Sequence, residues 1–144
     1  MDDITYTPIG RVHSPFDTPK DVVHKAVDET EGRIVLDDAY EPGLDDLDGF
    51  SHVVVLAHLD GVDEYHLTAR PPHVDDLDVG VFAARSPFRP NPIAQTVVEL
   101  TGREGATLHV RGLDLVDGTP VLDLKPYVSA VDESEVLLGW LEDQ

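Results

Sequence analysis

Apolar and polar positions alternate along this chain only over short stretches, each cut off by proline or glycine, and nowhere does a helical period persist. Ile4 to Val12 reads as a first strand, with Pro8 marking an edge or a bulge. Ser14-Pro15-Phe16-Asp17-Thr18-Pro19 is a rigid loop, and residues 20–31, polar and weakly patterned, read as strand plus loop. Gly32 to Leu36 is a second short strand. Tyr40 to Phe50 predicts a turn followed by one helical turn ending at Gly49. Ser51 to Leu59 is a β-branched apolar run of the kind found in a strand buried on both faces. Val79 to Ala84, Ile93 to Thr101 and Ala106 to Leu113 follow as strands, the last two joined by a hairpin turn at Gly102-Arg103-Glu104-Gly105. Val121 to Leu124 and a further stretch at Glu135 to Leu141 complete the set. The pattern predicts a mainly β protein: a small antiparallel β-barrel of six or seven strands with short helical turns.

Length supports one domain, residues 1–144, large enough for a real core. The N-terminus is acidic and mixed in polarity, unlike a signal peptide, and no apolar run is long enough to span a bilayer. Without cysteine there is no disulfide, thiolate metal site or cysteine nucleophile. A cytoplasmic protein is the plain expectation.

Charge changes the picture more. The 29 acids, 20 of them aspartate, face seven arginines and three lysines, for a formal net charge of -19. Such a surface repels itself in dilute buffer, whereas at molar salt the Debye length falls to about 3 Å. Scarce lysine and abundant aspartate on an ordinary core point to a halophilic host. At high salt counterion release contributes little, so an RNA ligand would be held by shape, stacking and hydrogen bonds.

Two stretches stand apart from ordinary connections. Residues 60–78 form a long irregular segment. In Arg85-Ser86-Pro87-Phe88-Arg89-Pro90-Asn91-Pro92, three prolines exclude helix and central strand, while two of the chain's few cations stand among them. The residues alone support two readings equally: a rigid loop presenting guanidinium and amide groups to a ligand, or a proline corner whose arginines cap carbonyls. Glycine-rich phosphate loops are absent, so any nucleotide-type cofactor is held outside the Rossmann and P-loop schemes. His52, His58, His66 and His73 lack zinc-site spacing, and no metal is expected. Asp114, Asp117, Asp123 and Lys125 crowd a short strand-turn-strand unit in which Asp117-Gly118 is a hairpin signal. Lys125, flanked by apolar residues, reads as a partly buried charge with a partner.

Taken together, four blocks resemble one family. They are Ile9-Gly10-Arg11-Val12-His13-Ser14-Pro15-Phe16, Gly49-Phe50-Ser51-His52, the run from Gly80 to Ile93 containing Arg89-Pro90-Asn91-Pro92, and the run from Asp114 to Tyr127 containing Asp117-Gly118-Thr119-Pro120 and Lys125-Pro126-Tyr127. In this order they resemble the signatures of the TrmO/TsaA-like (VirR-like) tRNA methyltransferases across nearly the whole chain. The resemblance implies a non-Rossmann β-barrel acting as a homodimer, with S-adenosylmethionine near the subunit interface. It also implies methylation of the N6 nitrogen of threonylcarbamoyl-adenosine at position 37 of tRNA. By motif, His58, Arg85, Gln95 and Arg111-Gly112-Leu113-Asp114 would contact the cofactor.

Methyl transfer from a sulfonium is an in-line displacement, and the weakly nucleophilic acceptor nitrogen must lose a proton. Asp114 and Asp117 are the candidate bases, with His58 third. Arg85 or Arg89 would pair with a carboxylate of the cofactor or of the threonyl group, and Asn91 and Lys125 would orient base or phosphate. The chain departs from the family pattern at Ala57-His58-Leu59-Asp60, at Ala84 where threonine is usual, and at Val22-Val23-His24-Lys25. Many bacterial members also continue beyond the final block into a small C-terminal domain. These departures motivate two alternatives: a non-catalytic nucleotide- or RNA-binding barrel, or a methyltransferase for another small substrate.

Overall fold

The structure, a computed structural model, describes residues 1–23, 29–72 and 74–143. It divides into two compact units, Met1–Gly61 with Pro92–Tyr127, and Val62–Asn91 with Val128–Gln144.

The first unit is a closed antiparallel barrel. Its strands are β1 (Gly10–His13), β2 (Glu31–Leu36), β3 (His52–His58), β6 (Ile93–Glu104), β7 (Thr107–Arg111) and β8 (Pro120–Pro126), arranged β1-β2-β7-β6-β3-β8 and closed by β8 on β1. Closure leaves these short strands without a free edge, which open sheets of this size would expose. Inward positions alternate with outward ones: Val12, Ile34, Val53, Val55, Ala57, Leu108, Val110 and Val121 are all within 1% of full burial. Each such aliphatic side chain contributes about 1.5–3 kcal/mol relative to an exposed one.

Several expectations are corrected here. The first strand begins at Gly10 rather than Ile4. Ile9 still exchanges bonds with Val121 and Asp37, but Pro8 has no N–H to continue the ladder. Within residues 20–31, the chain forms a short helix, α1 (Pro19–Val23), before β2. Its signal was a capping box: Asp21 accepts the backbone N–H of Thr18, and Pro19 occupies the first helical position. Turns of 3-10 helix at Asp38–Leu44 and Leu47–Gly49 agree with the predicted turn and helical turn. β6 runs on to Glu104, so the hairpin turn is Gly105-Ala106; Gly102 pairs with His109 within the strand, next to a β-bulge at Thr101. Asp117-Gly118 joins no hairpin, because β7 pairs with β2 and β6 while β8 pairs with β1 and β3. Finally, β3 buries one face only. Val54, Leu56 and His58 on its other side are half-buried.

In the second unit, β4 (Thr68–Ala69) pairs with β5 (Val79–Gly80). The expected strand from Val79 to Ala84 is cut short by a 3-10 turn at Val81–Ala83, since a short apolar run does not distinguish the two by period. Glu135 to Leu141 is not a strand either: 3-10 turns occupy Glu133–Glu135 and Gly139–Asp143. Asp132 caps the first of these, and the Ser134 hydroxyl and backbone N–H hold its carboxyl below the usual range. Trp140 Nε1 donates to the Ala83 carbonyl at 2.7 Å. Among the described residues no helix is long and apolar enough to cross a membrane.

Candidate functional site

Three of the candidate site residues, His58, Gln95 and Lys125, lie with Asp123 on one outer face of the barrel. β3 runs between β6 and β8, and the register places Leu56 between Gln95 and Asp123, Val54 between Val97 and Lys125, and His58 opposite Ile93. Directly paired residues share a face, so these side chains point away from the core. The result is an apolar strip of Val54, Leu56 and Val97 bordered by an imidazole, an amide and an ion pair. In that pair Lys125 Nζ lies 3.2 Å from Asp123 Oδ2. The lysine thus has its partner, but at 63% exposure it lacks the burial expected of it.

At one end of the barrel, two of the sequence blocks are bonded into a single corner. Val12 N–H donates to Thr119 C=O, Gly118 N–H to Val12 C=O, and Asp117 N–H to Phe16 C=O. Ser14 Oγ donates to Leu115 C=O at 2.6 Å, and Arg11 Nη1 to Gly118 C=O at 2.8 Å. The turn itself closes by Thr119 N–H to Val116 C=O, with Gly118 at φ 85°, the conformation a type II turn demands and glycine adopts without strain. Asp117 completes the corner by accepting the Ser14 N–H at 3.0 Å. Asp117→Ala is therefore expected to cost about 1–2 kcal/mol of stability. Chemical denaturation in molar potassium chloride measures it, and an unchanged midpoint would show that the corner stands without the carboxylate.

Between β7 and this corner, Arg111, Gly112, Leu113 and Asp114 have separate surroundings. The register sets Arg111 abreast of Glu31 on β2 and Glu99 on β6, and its guanidinium lies 3.5 Å from each carboxylate. Gly112, at φ 90°, donates its N–H to Thr30 C=O. The chain then turns inward, and Leu113 is wholly buried in the core, side chain and backbone alike. Asp114 is exposed, and none of the described residues pairs with its carboxylate.

The proline-rich loop lies in the second unit, and each of the two readings of it describes one arginine. Arg89 Nη1 donates to the carbonyls of Ala84 (2.9 Å) and Ser86 (3.1 Å), bracing the loop from within. Arg85 is exposed with no partner among the described residues, as is Asn91.

His13 and His109 were given no role from the sequence. They stand in one cross-strand row with Arg33 between them, on the outer face of β1, β2 and β7. His109 Nε2 is shut off from solvent without a hydrogen bond, 3.7 Å from Glu104 Oε1. No group of three or more histidine or acidic side chains is placed to hold a metal among the described residues. His73, His24 and Lys25 lie outside them.

A closed, six-stranded antiparallel barrel carrying motif residues on its outer face and end defines a non-Rossmann class. Residues 11–133 match the profile of the tRNA-methyltransferase O N-terminal domain, and the chain belongs to that family. A probable S-adenosyl-L-methionine-binding protein of Pyrococcus abyssi is 43% identical over 142 residues, covering 96% of this chain and 77% of that one. A mouse tRNA (adenine(37)-N6)-methyltransferase is 41% identical over 99 residues, covering 67% of this chain but 23% of its own length. The crystal structure of TrmO from Pseudomonas aeruginosa superposes with a TM-score of 0.77 at 31% identity, covering 96% of this chain and 63% of that one.

Proposed function

We propose that this chain binds S-adenosylmethionine and methylates the N6 nitrogen of adenosine 37 in tRNA, with threonylcarbamoyl-adenosine as the acceptor. The observation that carries the reading is the family match over residues 11–133. Side chains of the kinds that the cofactor's groups need are present. Its carboxylate needs a cation, and Arg85 is an exposed guanidinium with no competing partner among the described residues. Its sulfonium and hydroxyl groups suit a free carboxylate, and Asp114 is one. Gln95 and His58, beside apolar Leu56, suit an adenine ring and its polar edge.

When bound, S-adenosylmethionine supplies an electrophilic methyl group whose bond to sulfur breaks with both electrons leaving on sulfur. The protein's contribution is orientation, and acceptance of the proton that leaves N6 as the new carbon–nitrogen bond forms. Asp114 takes that proton. Asp117 is bound to the Ser14 N–H and holds the corner from which the Asp114 segment departs, so we assign it positioning. The Glu31 and Glu99 carboxylates hold the Arg111 guanidinium where the chain leaves β7, and partly open Gly112, rather than buried Leu113, faces the cofactor. Asn91 and Lys125 orient the tRNA, and Arg89 keeps the loop in shape. The apolar strip on the outer face of β3 and β6, where Val97 of β6 remains 40% exposed, supports a homodimer that covers it. A cytoplasmic, salt-rich setting agrees with a tRNA substrate and with the net charge of -19.

Calorimetric titration with S-adenosylmethionine in molar potassium chloride tests cofactor binding. Saturation near one cofactor per subunit is expected, and Arg85→Ala should weaken it by about tenfold, as loss of a charge-assisted bond implies. Undiminished affinity in that variant would remove Arg85 from the site.

A further inference from the structure

We propose that the second unit carries an aromatic platform, built on Phe88 and His66, that stacks an unpaired base of the RNA substrate. The proposal rests on the tRNA reading above and adds to it the place where the single-stranded part of the RNA is gripped.

Large apolar side chains exposed singly are ordinary, but here they converge on segments bonded to one another. Tyr65, Leu67, Phe82 and Phe88 are 57%, 66%, 78% and 42% exposed. His66 N–H donates to Phe88 C=O at 3.1 Å, and the next residue, Leu67, accepts the N–H of Val81 at 3.0 Å. The 65–68 stretch is thereby tied on one side to the loop of Phe88 and on the other to the turn of Phe82. The rings of His66 and Phe88 meet with centroids 5.8 Å apart and planes tilted by 55°, so they do not cover each other face to face.

The platform is also rigid. Pro87 and Pro90 fix the backbone on either side of Phe88. Phe88 N–H donates to Ser86 Oγ at 3.2 Å, Arg89 N–H to Pro87 C=O at 3.0 Å, and the Arg89 guanidinium braces two more carbonyls of the loop. A ring held this way loses little freedom when a ligand lies on it. Trp140 Nε1, bonded to the Ala83 carbonyl, anchors the turn that exposes Phe82.

Charge selects the occupant. With a net charge of -19 the chain has little electrostatic hold on a phosphate backbone, and molar salt would screen what it has. Base–aromatic stacking does not depend on charge, and single-stranded loops are the part of an RNA whose bases are free to stack.

The test is binding of a fluorescently labelled anticodon stem-loop RNA to the full chain in molar potassium chloride, comparing the parent with Phe88→Leu and Phe88→Tyr. The leucine keeps an apolar side chain without a π-face and is expected to bind about tenfold more weakly; the tyrosine keeps the ring and should stay within about twofold. S-adenosylmethionine affinity should be the same in all three. If Phe88→Leu binds the RNA as tightly as the parent, the platform is wrong and the tRNA reading stands. If the folded parent binds S-adenosylmethionine but no RNA, both fall. If Phe88→Leu instead dissociates a dimer, by sedimentation, without changing RNA affinity, the patch belongs to a second copy of the chain and the proposal is overturned.

Discussion

Replacing Asp114 with asparagine should slow methyl transfer to tRNA by roughly a hundredfold or more, the scale of a lost general base. Cofactor affinity should fall by a smaller factor, about tenfold, for loss of the carboxylate that faces the cofactor. The expectation follows from the contrast between two aspartates three residues apart. Asp117 spends one carboxylate oxygen on the Ser14 N–H and sits in a corner held by seven further hydrogen bonds between the same two segments or within the turn. Asp114 is exposed and has no such commitment among the described residues. The ureido-like acceptor nitrogen must lose a proton, and asparagine, nearly isosteric with aspartate, cannot take it. Single-turnover kinetics with S-adenosylmethionine and modified tRNA separate this from a binding defect. A rate within about threefold of the parent would remove Asp114 as the base, by the same Brønsted reasoning.

The largest effect on stability is expected at Gly10, where Gly10→Ala should cost about 3 kcal/mol. Gly10 pairs with Leu36 on one side and Val121 on the other, at the seam that closes the barrel. A methyl group there would run into the carbonyl oxygen of Val35 and come 2.8 Å from the Leu36 Cα. Both obstacles are backbone, so relief requires opening the β1–β2 pairing rather than turning a side chain. Gly61→Ala, where an added Cβ meets nothing within 4 Å, is the matched control and should be nearly neutral. Denaturant midpoints in molar potassium chloride compare the two. Equal midpoints would mean that β1 is not packed against β2 as described.

What could be read from the sequence follows the range of the interaction. Strands whose period is local were legible: Gly32 to Leu36 corresponds to β2, and Ile93 onward to β6. A closed barrel was expected from the short strands and their edges, but the pairing that closes it was not legible, because β8 returning to β1 joins positions more than a hundred residues apart, and no local period encodes such pairing. Asp117-Gly118 misled for the same reason. Its dipeptide signals a turn, and a turn it is, but whether a turn makes a hairpin is decided by which strands lie beside it. The apolar run of β3 was read as burial on both faces; a strand with an uncovered apolar face has the same composition. At the proline-rich loop, residue types alone left ligand binding and carbonyl capping equal. The fold divides them, Arg89 to capping and Arg85 to an open surface. The family resemblance, carried by blocks in correct order, agrees with the match over residues 11–133 and with the TrmO crystal structure.

The most direct test of the central claim is incubation of the purified chain with S-adenosylmethionine and two tRNA samples in molar potassium chloride. One sample carries threonylcarbamoyl-adenosine at position 37, and the other carries plain adenosine there. Mass spectrometry of the nucleosides should show a gain of one methyl group on the modified adenosine of the first sample and none in the second. Absence of transfer to both, from protein that is folded and saturated with cofactor, would contradict the account and leave a barrel that binds without methylating.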